Sequence, residues 1–253
     1  MEPVQPIAAL QDNYIWMLSR GSHAVVVDPG DAGPVIRCLQ QERLHLAGIL
    51  ITHHHLDHRG GIPELCARYR PRVYGPHAEN IPGITHPLAS GDTAQFPELD
   101  LTCEVLAVPG HTRGHLAYLG WEHLFCGDTL FSAGCGRIFE GTPAEMKDSL
   151  GRLAELPETT EVCCAHEYTE DNLRFALMVE PANPILQKWA EEVTLLRARG
   201  RPSLPSTIAL EKAMNPFLRS SEPSVVEAVC RRRGSAGDPL SVFTALRKWK
   251  DTF

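Results

Sequence analysis

The segment His53-His54-His55-Leu56-Asp57-His58 sets four metal-binding groups, His53, His55, Asp57 and His58, in one short stretch. It follows the apolar run Leu46–Thr52. Alternate residues of an extended chain face the same way, so His53, His55 and Asp57 are expected to converge. His58 adjoins Asp57, so a second ion could share the loop. A surface histidine tract would explain one or two of these residues, but the theme recurs three times. Val105–Val108 leads to His111, Leu124–Cys126 to Asp128 and Val162–Ala165 to His166. Each apolar strand delivers one metal-capable side chain at its tip, where α/β folds place their sites. The seven candidates are too many for one tetrahedral centre. They suit two ions: three imidazoles on one, two imidazoles and Asp57 on the other, and Asp128 between them. No thiolate belongs to the set, so Zn²⁺ is the expected ion, with Fe or Mn also suited to imidazole and carboxylate. The chemistry of such a centre is hydrolysis, since a divalent cation acidifies bound water and polarises a carbonyl.

The elements that must carry these residues are legible in the hydrophobic pattern. Strands are predicted over Ile15–Leu18, Ala24–Asp28, Leu46–Thr52, Arg72–Tyr74, Leu101–Val108, Leu116–Leu119, His123–Cys126 and Glu161–Ala165. Several are continuous apolar runs, which suits strands buried on both faces. Helices are predicted between them over Ala32–Gln41, Gly61–Tyr69 and Ala144–Leu156, the last opened by the cap Thr142-Pro143-Ala144-Glu145. Beyond about residue 170 the pattern predicts helices and no strand. Ile185, Trp189, Val193 and Leu196 recur at helical spacing and Gly200 with Pro202 ends that helix. Further helices are predicted over Pro223–Arg232 and from the cap Asp238-Pro239 toward Lys250. The chain therefore reads as an α+β domain over residues 1–166 and a helical domain over 167–253.

Its 253 residues carry a net charge of −7 and an isoelectric point near 5.9, which argues against a general nucleic-acid binder. No apolar run approaches the roughly 20 residues of a membrane span. The start, Met1-Glu2-Pro3-Val4-Gln5-Pro6, lacks the charge and apolar stretch of a secretory signal. The eight cysteines form no Cys-X-X-Cys and sit in apolar segments, as reduced thiols would. The expectation is a cytoplasmic monomer acting on a small molecule, without nucleic-acid or membrane partners.

Thr52-His53-His54-His55-Leu56-Asp57-His58, with His111, Asp128 and His166 at this spacing, resembles the metallo-β-lactamase superfamily over roughly the first 170 residues. That resemblance implies an αββα sandwich with a dinuclear site at one edge of its sheets. Within the superfamily the chain looks most like the bacterial glyoxalase II (hydroxyacylglutathione hydrolase) family over its whole length. The segments that carry this likeness are Cys126–Phe131, Gly134–Arg137, Phe139–Thr142, His166–Thr169, Asn215–Arg219 and Arg247–Asp251. Carried over by position, it implies His53, His55 and His111 on one metal, Asp57, His58 and His166 on the other, and a bridging Asp128. Asp57 and Asp128 are implied as catalytic. Arg137, Phe139, Tyr168, Arg247 and Lys250 are implied to bind substrate, with arginine and phenylalanine standing where the eukaryotic pattern has lysine and tyrosine. The activity implied is hydrolysis of S-D-lactoylglutathione to glutathione and D-lactate, the second step of methylglyoxal detoxification. A hydroxide bridging the two metals would attack the thioester.

Bland readings accompany several of these positions. Arg247 and Lys250 also suit a last helical turn through its dipole, and Asp28-Pro29-Gly30 also suits a turn. Asp28 alternatively orients a ligand histidine. His54 and His115 flank the ligands and are read as structural or supporting. Cys126 or Cys135 as a nucleophile lacks a histidine to activate it. The competing functions are a persulfide dioxygenase, a lactonase or a β-lactamase on the same scaffold. Outside enzymes, a zinc-stabilised module remains, although structural zinc sites are usually closed by cysteines.

Overall fold

The computed structural model describes residues 4–233 and 237–253. Met1–Pro3 of the chain start read above lie outside them. Contacts divide the chain into two compact units, Met1–Ala107 with Arg113–Gly127, and Val108–Thr112 with Asp128–Phe253.

In the first unit, β1 (Gln5–Ala9), β2 (Asn13–Arg20) and β3 (His23–Val27) pair antiparallel. Helix α1 (Ala32–Glu42) then crosses over to β4 (His45–Leu50), parallel to β3. The short α2 (Leu56–Arg59) and α3 (Ile62–Tyr69) cross to β5 (Arg72–Pro76), and β6 (His86–Leu88) closes the sheet in the order β1–β2–β3–β4–β5–β6. Strands β7 (Thr93–Phe96), β8 (Leu101–Ala107), β9 (Leu116–Gly120) and β10 (His123–Gly127) form an antiparallel set.

Helix α1 begins where Asp31 Oδ1 accepts from Gly33 N at 2.9 Å, and it buries Val35, Ile36 and Leu39. These join Ile15, Met17, Val26, Ile49 and Ile51 of the sheet and Ile62 and Leu65 of α3 in one core. Each such side chain removed from water contributes about 1.5–3 kcal/mol. The opposite face of the sheet is covered as well. Tyr118 Oη donates to Ile51 O at 2.6 Å, Tyr74 Oη to Gln95 O at 3.2 Å, and the Tyr74 and Phe96 rings lie 5.2 Å apart. A Cβ on Gly48 would stand 2.0 Å from Phe96 Cε1, so only glycine lets the sheets approach there. Burial on both faces explains the unbroken apolar run of β2.

The second unit contains the hairpin β11 (Leu130–Phe131) and β12 (Gly134–Cys135), then α4 (Pro143–Ala154) and β13 (Glu161–Cys164). Helices α5 (Thr169–Val179) and α6 (Pro184–Ala198) follow, then β14 (Ser206–Thr207), α7 (Ile208–Met214), α8 (Pro223–Arg233) and α9 (Pro239–Lys250). Thr142 and Glu145 form a reciprocal capping box at the start of α4. Leu173, Ala176, Leu186, Val193 and Met214 bind α5, α6 and α7 into one core with Ala133 of the hairpin turn.

The α+β sandwich and the C-terminal helices are as the sequence predicts. The expectation of no strand past residue 170 is corrected by β14, which pairs antiparallel with β13. Two residues are too few to show a period. No helix among the described residues is long and apolar enough to cross a membrane.

Candidate functional site

Beyond Leu50, the last residue of β4, the chain runs on through Ile51, Thr52 and His53, all fully buried. The chain then departs from the extended path expected of it. His55 is the N-cap of α2, and Asp57 and His58 lie in its first turn. Helical curvature, rather than alternation along a strand, therefore sets where Asp57 and His58 point. His53 Nε2 and His55 Nδ1 stand 3.0 Å apart, while His58 Nε2 lies 3.4 Å from Asp57 Oδ2. Asn13 Nδ2 donates to the same Asp57 oxygen at 3.1 Å. Nothing in the sequence marks Asn13; its place on β2 brings it there.

Asp28 settles which ring nitrogens of this cluster are available. Its Oδ1 accepts from Thr52 N at 2.8 Å, and its Oδ2 accepts from Thr52 Oγ1 at 2.7 Å and faces His58 Nδ1 at 3.0 Å. A carboxylate only accepts, so the His58 proton sits on Nδ1 and Nε2 carries the lone pair. Thr52 Oγ1 already donates its one hydrogen to Asp28, and His53 Nδ1 lies 3.0 Å from it. His53 then donates from Nδ1, and its Nε2 also presents a lone pair. Asp28, read as either a turn or an orienting residue, is thus both. It takes φ +52 in the turn, which an aspartate tolerates, while its buried carboxylate orients two imidazoles. His115 stacks on His53 at 4.6 Å, and His54 pairs with Glu79 at 3.0 Å. Both brace the loop that carries residues 53–58.

The second unit contributes His111, Asp128 and His166, each at most 8% exposed. Asp128 Oδ2 lies 3.4 Å from His111 Nε2, and Oδ1 lies 3.3 Å from His166 Nε2. One carboxylate thus turns each of its oxygens to a different imidazole. Both separations exceed the 2.7–2.9 Å or so of a charge-assisted hydrogen bond, and they suit a carboxylate shared between two cations. His111 Nδ1 lies 2.8 Å from Arg137 O, an acceptor only, so Nδ1 donates there and the lone pair of the neutral ring is on Nε2. The donor set is therefore imidazole lone pairs and carboxylate oxygens, which fits divalent Zn, Fe or Mn.

A cavity of about 620 Å³ in this unit is lined by His111 and Asp128, and by all five expected substrate residues, Arg137, Phe139, Tyr168, Arg247 and Lys250. Tyr168 stacks on His166 at 4.7 Å with 4° between ring planes, and the edge of Phe139 meets His111 at 5.2 Å. Burial, with Arg247 close behind, lowers the Lys250 ammonium to about 8, and Lys250 Nζ donates to Asp171 O at 3.1 Å. Sequence reading missed Asn172 and Arg174, which line the cavity from α5. Burial raises the Cys135 thiol, against a nucleophilic role. A second cavity of about 610 Å³ beside Glu180 and Arg219 contains no histidine and is remote in kind from this chemistry.

Two family models match the chain: "Metallo-beta-lactamase superfamily" over residues 10–166 and "Hydroxyacylglutathione hydrolase C-terminus" over residues 167–253. A hydroxyacylglutathione hydrolase of Nitrosomonas europaea is 52% identical over 99% of this chain and 96% of its own length. One of Aliivibrio fischeri is 53% identical over the whole of both. Among solved structures, TTHA1623 in a di-iron-bound form superposes with a TM-score of 0.56 at 28% identity, covering 64% of this chain and 92% of its own. With a metallo-β-lactamase match over most of its length and full-length relatives at this identity, the chain belongs to the hydroxyacylglutathione hydrolase family of the metallo-β-lactamase superfamily.

Proposed function

We propose that this enzyme, as a glyoxalase II, hydrolyses S-D-lactoylglutathione to glutathione and D-lactate, the second step of methylglyoxal detoxification. The observation that carries this reading is Asp128, whose two oxygens face His111 and His166 at the wall of a cavity rich in cations. In this reading His53, His55 and His111 hold one divalent cation, Asp57, His58 and His166 hold the other, and Asp128 serves both. Two Zn ions, or Fe or Mn in their place, would acidify water and polarise the thioester carbonyl. Water adds to that carbonyl, the C–S bond breaks, and glutathione departs with the electron pair of the bond. Residues 1–166 then supply the hydrolytic chemistry together with Arg137 and Phe139, and 167–253 the other substrate contacts. The reading as a cytoplasmic monomer fits eight cysteines that form no disulfide and the acidic charge.

The chain's own side chains account for recognition. Glutathione is anionic, and Arg137 and Lys250 supply positive charge in a protein that is acidic overall. Tyr168, stacked flat on His166, holds that imidazole's plane and walls the cavity with an aromatic face. Phe139 is 63% exposed and offers apolar surface without a hydroxyl.

Lys250 gives this reading a pH signature. Its depressed value of about 8 means that the charge is present below pH 8 and lost as pH rises through it. Arg247, Arg174 and Arg137 push in the same direction, and Asp171 opposes them. KM for the anionic thioester is therefore expected to rise about 5-fold between pH 7 and 9.5, the worth of a partly screened ion pair of about 1 kcal/mol. Lys250→Arg, charged throughout, is expected to flatten that rise. A KM equally flat in the unaltered enzyme would remove Lys250 from substrate binding.

The substrate is tested by supplying metal-replete protein with S-D-lactoylglutathione, a glutathione persulfide and a homoserine lactone in parallel. Rapid loss of the thioester alone supports the assignment. Turnover of the persulfide or the lactone, with the thioester left intact, overturns it.

A further inference from the structure

Glu79 stands in the turn after β5, with its side chain only 5% exposed. The turn itself is anchored. Glu79 N donates to Pro76 O at 3.4 Å, Ile81 N donates to Glu79 O at 3.0 Å, and Ile81 packs in the core with Ile49, Ile51 and Ile62. From there one carboxylate reaches two other segments. Its Oε2 lies 3.0 Å from His54 Nδ1, and its Oε1 accepts from Gly114 N at 3.2 Å. A carboxylate only accepts, so His54 donates from Nδ1. A Cβ on Gly114 would stand 2.4 Å from Glu79 Cγ, so glycine at 114 gives the carboxylate its room. Ion pairs between exposed side chains contribute about 0–1 kcal/mol; burial and two partners set this carboxylate apart from them.

Both partners adjoin residues of the His53–His55 cluster. His54 lies between the two, and Arg59 Nε donates to its carbonyl at 2.6 Å, so residue 54 is held at its side chain and at its backbone. Its ring meets His53 at 6.4 Å and His55 at 4.9 Å, edge to face in each case. Gly114 precedes His115, whose ring stacks on His53 at 4.6 Å with 18° between planes. That ring is closely backed in turn, since a Cβ on Gly127 would stand 2.8 Å from His115 Cε1. The same two segments are joined through their backbones where Leu116 N donates to Thr52 O at 2.9 Å. Two residues further out on each, at 54 and 114, the link is the Glu79 carboxylate.

We propose that Glu79 is a positioning residue for the His53–His55 pair: by tying His54 to Gly114, it fixes the turn from which both imidazoles reach one cation. The facing nitrogens, His53 Nε2 and His55 Nδ1, stand 3.0 Å apart on that turn. This rests on His53 and His55 being metal ligands, as proposed above. It also gives His54 its task, which is to transmit the hold of Glu79 to its two neighbours. Asp57 and His58 serve the other cation in that reading, so the influence of Glu79 is directed at one site of the two.

The test follows Zn²⁺ binding to metal-free Glu79→Ala, Glu79→Asp and Glu79→Gln in competition with a chromophoric chelator. It counts Zn per chain by atomic emission and then records kcat and KM at saturating Zn²⁺. Circular dichroism and the melting temperature identify the folded variants; aspartate carries the test if alanine does not fold. Aspartate is one methylene too short to hold His54 and Gly114 together. Glutamine can still accept from Gly114 N, and can donate to His54 once that ring moves its proton to Nε2. In Glu79→Ala and Glu79→Asp, one of the two Zn²⁺ sites is expected to lose about 10–100-fold in affinity, the usual cost of losing a group that orients a metal-binding histidine. Zn then falls toward one per chain under the chelator, and kcat drops with KM within about 2-fold of the unaltered enzyme. Glu79→Gln is expected to lose less, with the His54 ring ¹⁵N resonances reporting the moved proton. Unchanged affinity at both sites in a folded Glu79→Asp or Glu79→Ala protein would overturn the proposal, as would an equal loss at both. If His55→Ala binds Zn²⁺ identically to the unaltered protein, the ligand reading of His55 fails and the proposal falls with it.

Discussion

Asp128→Ala is expected to abolish turnover of S-D-lactoylglutathione. Both oxygens of this carboxylate are in use, one 3.4 Å from His111 Nε2 and the other 3.3 Å from His166 Nε2. Its removal takes an anion from between two positions that are each to hold a cation, so both weaken together. Metal-ion catalysis is worth several kcal/mol, and each 1.36 kcal/mol or so is tenfold in rate, so kcat is expected to fall by about 10³-fold or more. Asp128→Asn is expected to be nearly as inactive, because an amide turns a donor toward one imidazole where an acceptor stood. Asp128 lies at a cavity wall, 8% exposed, so its truncation removes no apolar packing and the variant should melt near the unaltered temperature. Metal content by atomic emission and steady-state kinetics on the same preparation check the claim. Near-normal kcat in a folded Asp128→Ala protein would end the bridging role.

The second large effect is expected from Asp28→Asn, a substitution that makes no contact with substrate in this reading. Asparagine nearly conserves volume and can still accept from Thr52 N with its oxygen. The other branch of the amide then presents N–H groups where Oδ2 now accepts from Thr52 Oγ1 and His58 Nδ1. Two donors facing each other cannot both bond. His58 would have to move its proton to Nε2, the nitrogen meant for the cation. His53 would be disturbed in turn, since its Nδ1 bonds to the same Thr52 hydroxyl. Loss of such support typically costs 10–100-fold in metal affinity or activity, and about 100-fold is expected here because two imidazoles share the one carboxylate. Chelator competition with Zn²⁺ and the histidine ring ¹⁵N resonances would follow affinity and tautomer separately. Unchanged tautomers for His53 and His58 would refute this account even if activity fell.

Much of the scaffold is legible in the sequence. The strands that become β2, β3, β4, β5, β9, β10 and β13 are largely buried and mostly apolar, β8 alternates buried and exposed positions along its first half, and their ends are placed within a few residues. The strands that escape are β1, β6 and β7, which lie at sheet ends in the order β1–β6 or beside only β8 in their own unit, and the two-residue β11, β12 and β14. An outer strand buries less, so β1 mixes exposed and buried positions over five residues and β6 buries only Leu88. Such runs carry too little periodicity to stand out. Helix α5 escapes for another reason: its N-cap, Tyr168, makes no side-chain cap, so no start signal is present. The capped helices α4 and α9 are read correctly from Thr142 and Asp238, and α6 from the spacing of Ile185, Trp189, Val193 and Leu196.

By itself the sequence determined the inventory: seven donors of metal-binding type, each close behind an apolar segment, and the helical C-terminal region that goes with them. Residue type and period are local properties, and the chain states them outright. Only the tertiary structure decided which atom of each donor is available. His58 depends on Asp28 across 30 residues and His111 on Arg137 across 26. A lone pair is directed by whatever hydrogen bond occupies the other side of its ring. That partner is brought in by the packing of distant strands and helices, and nothing in the local pattern of a histidine records it.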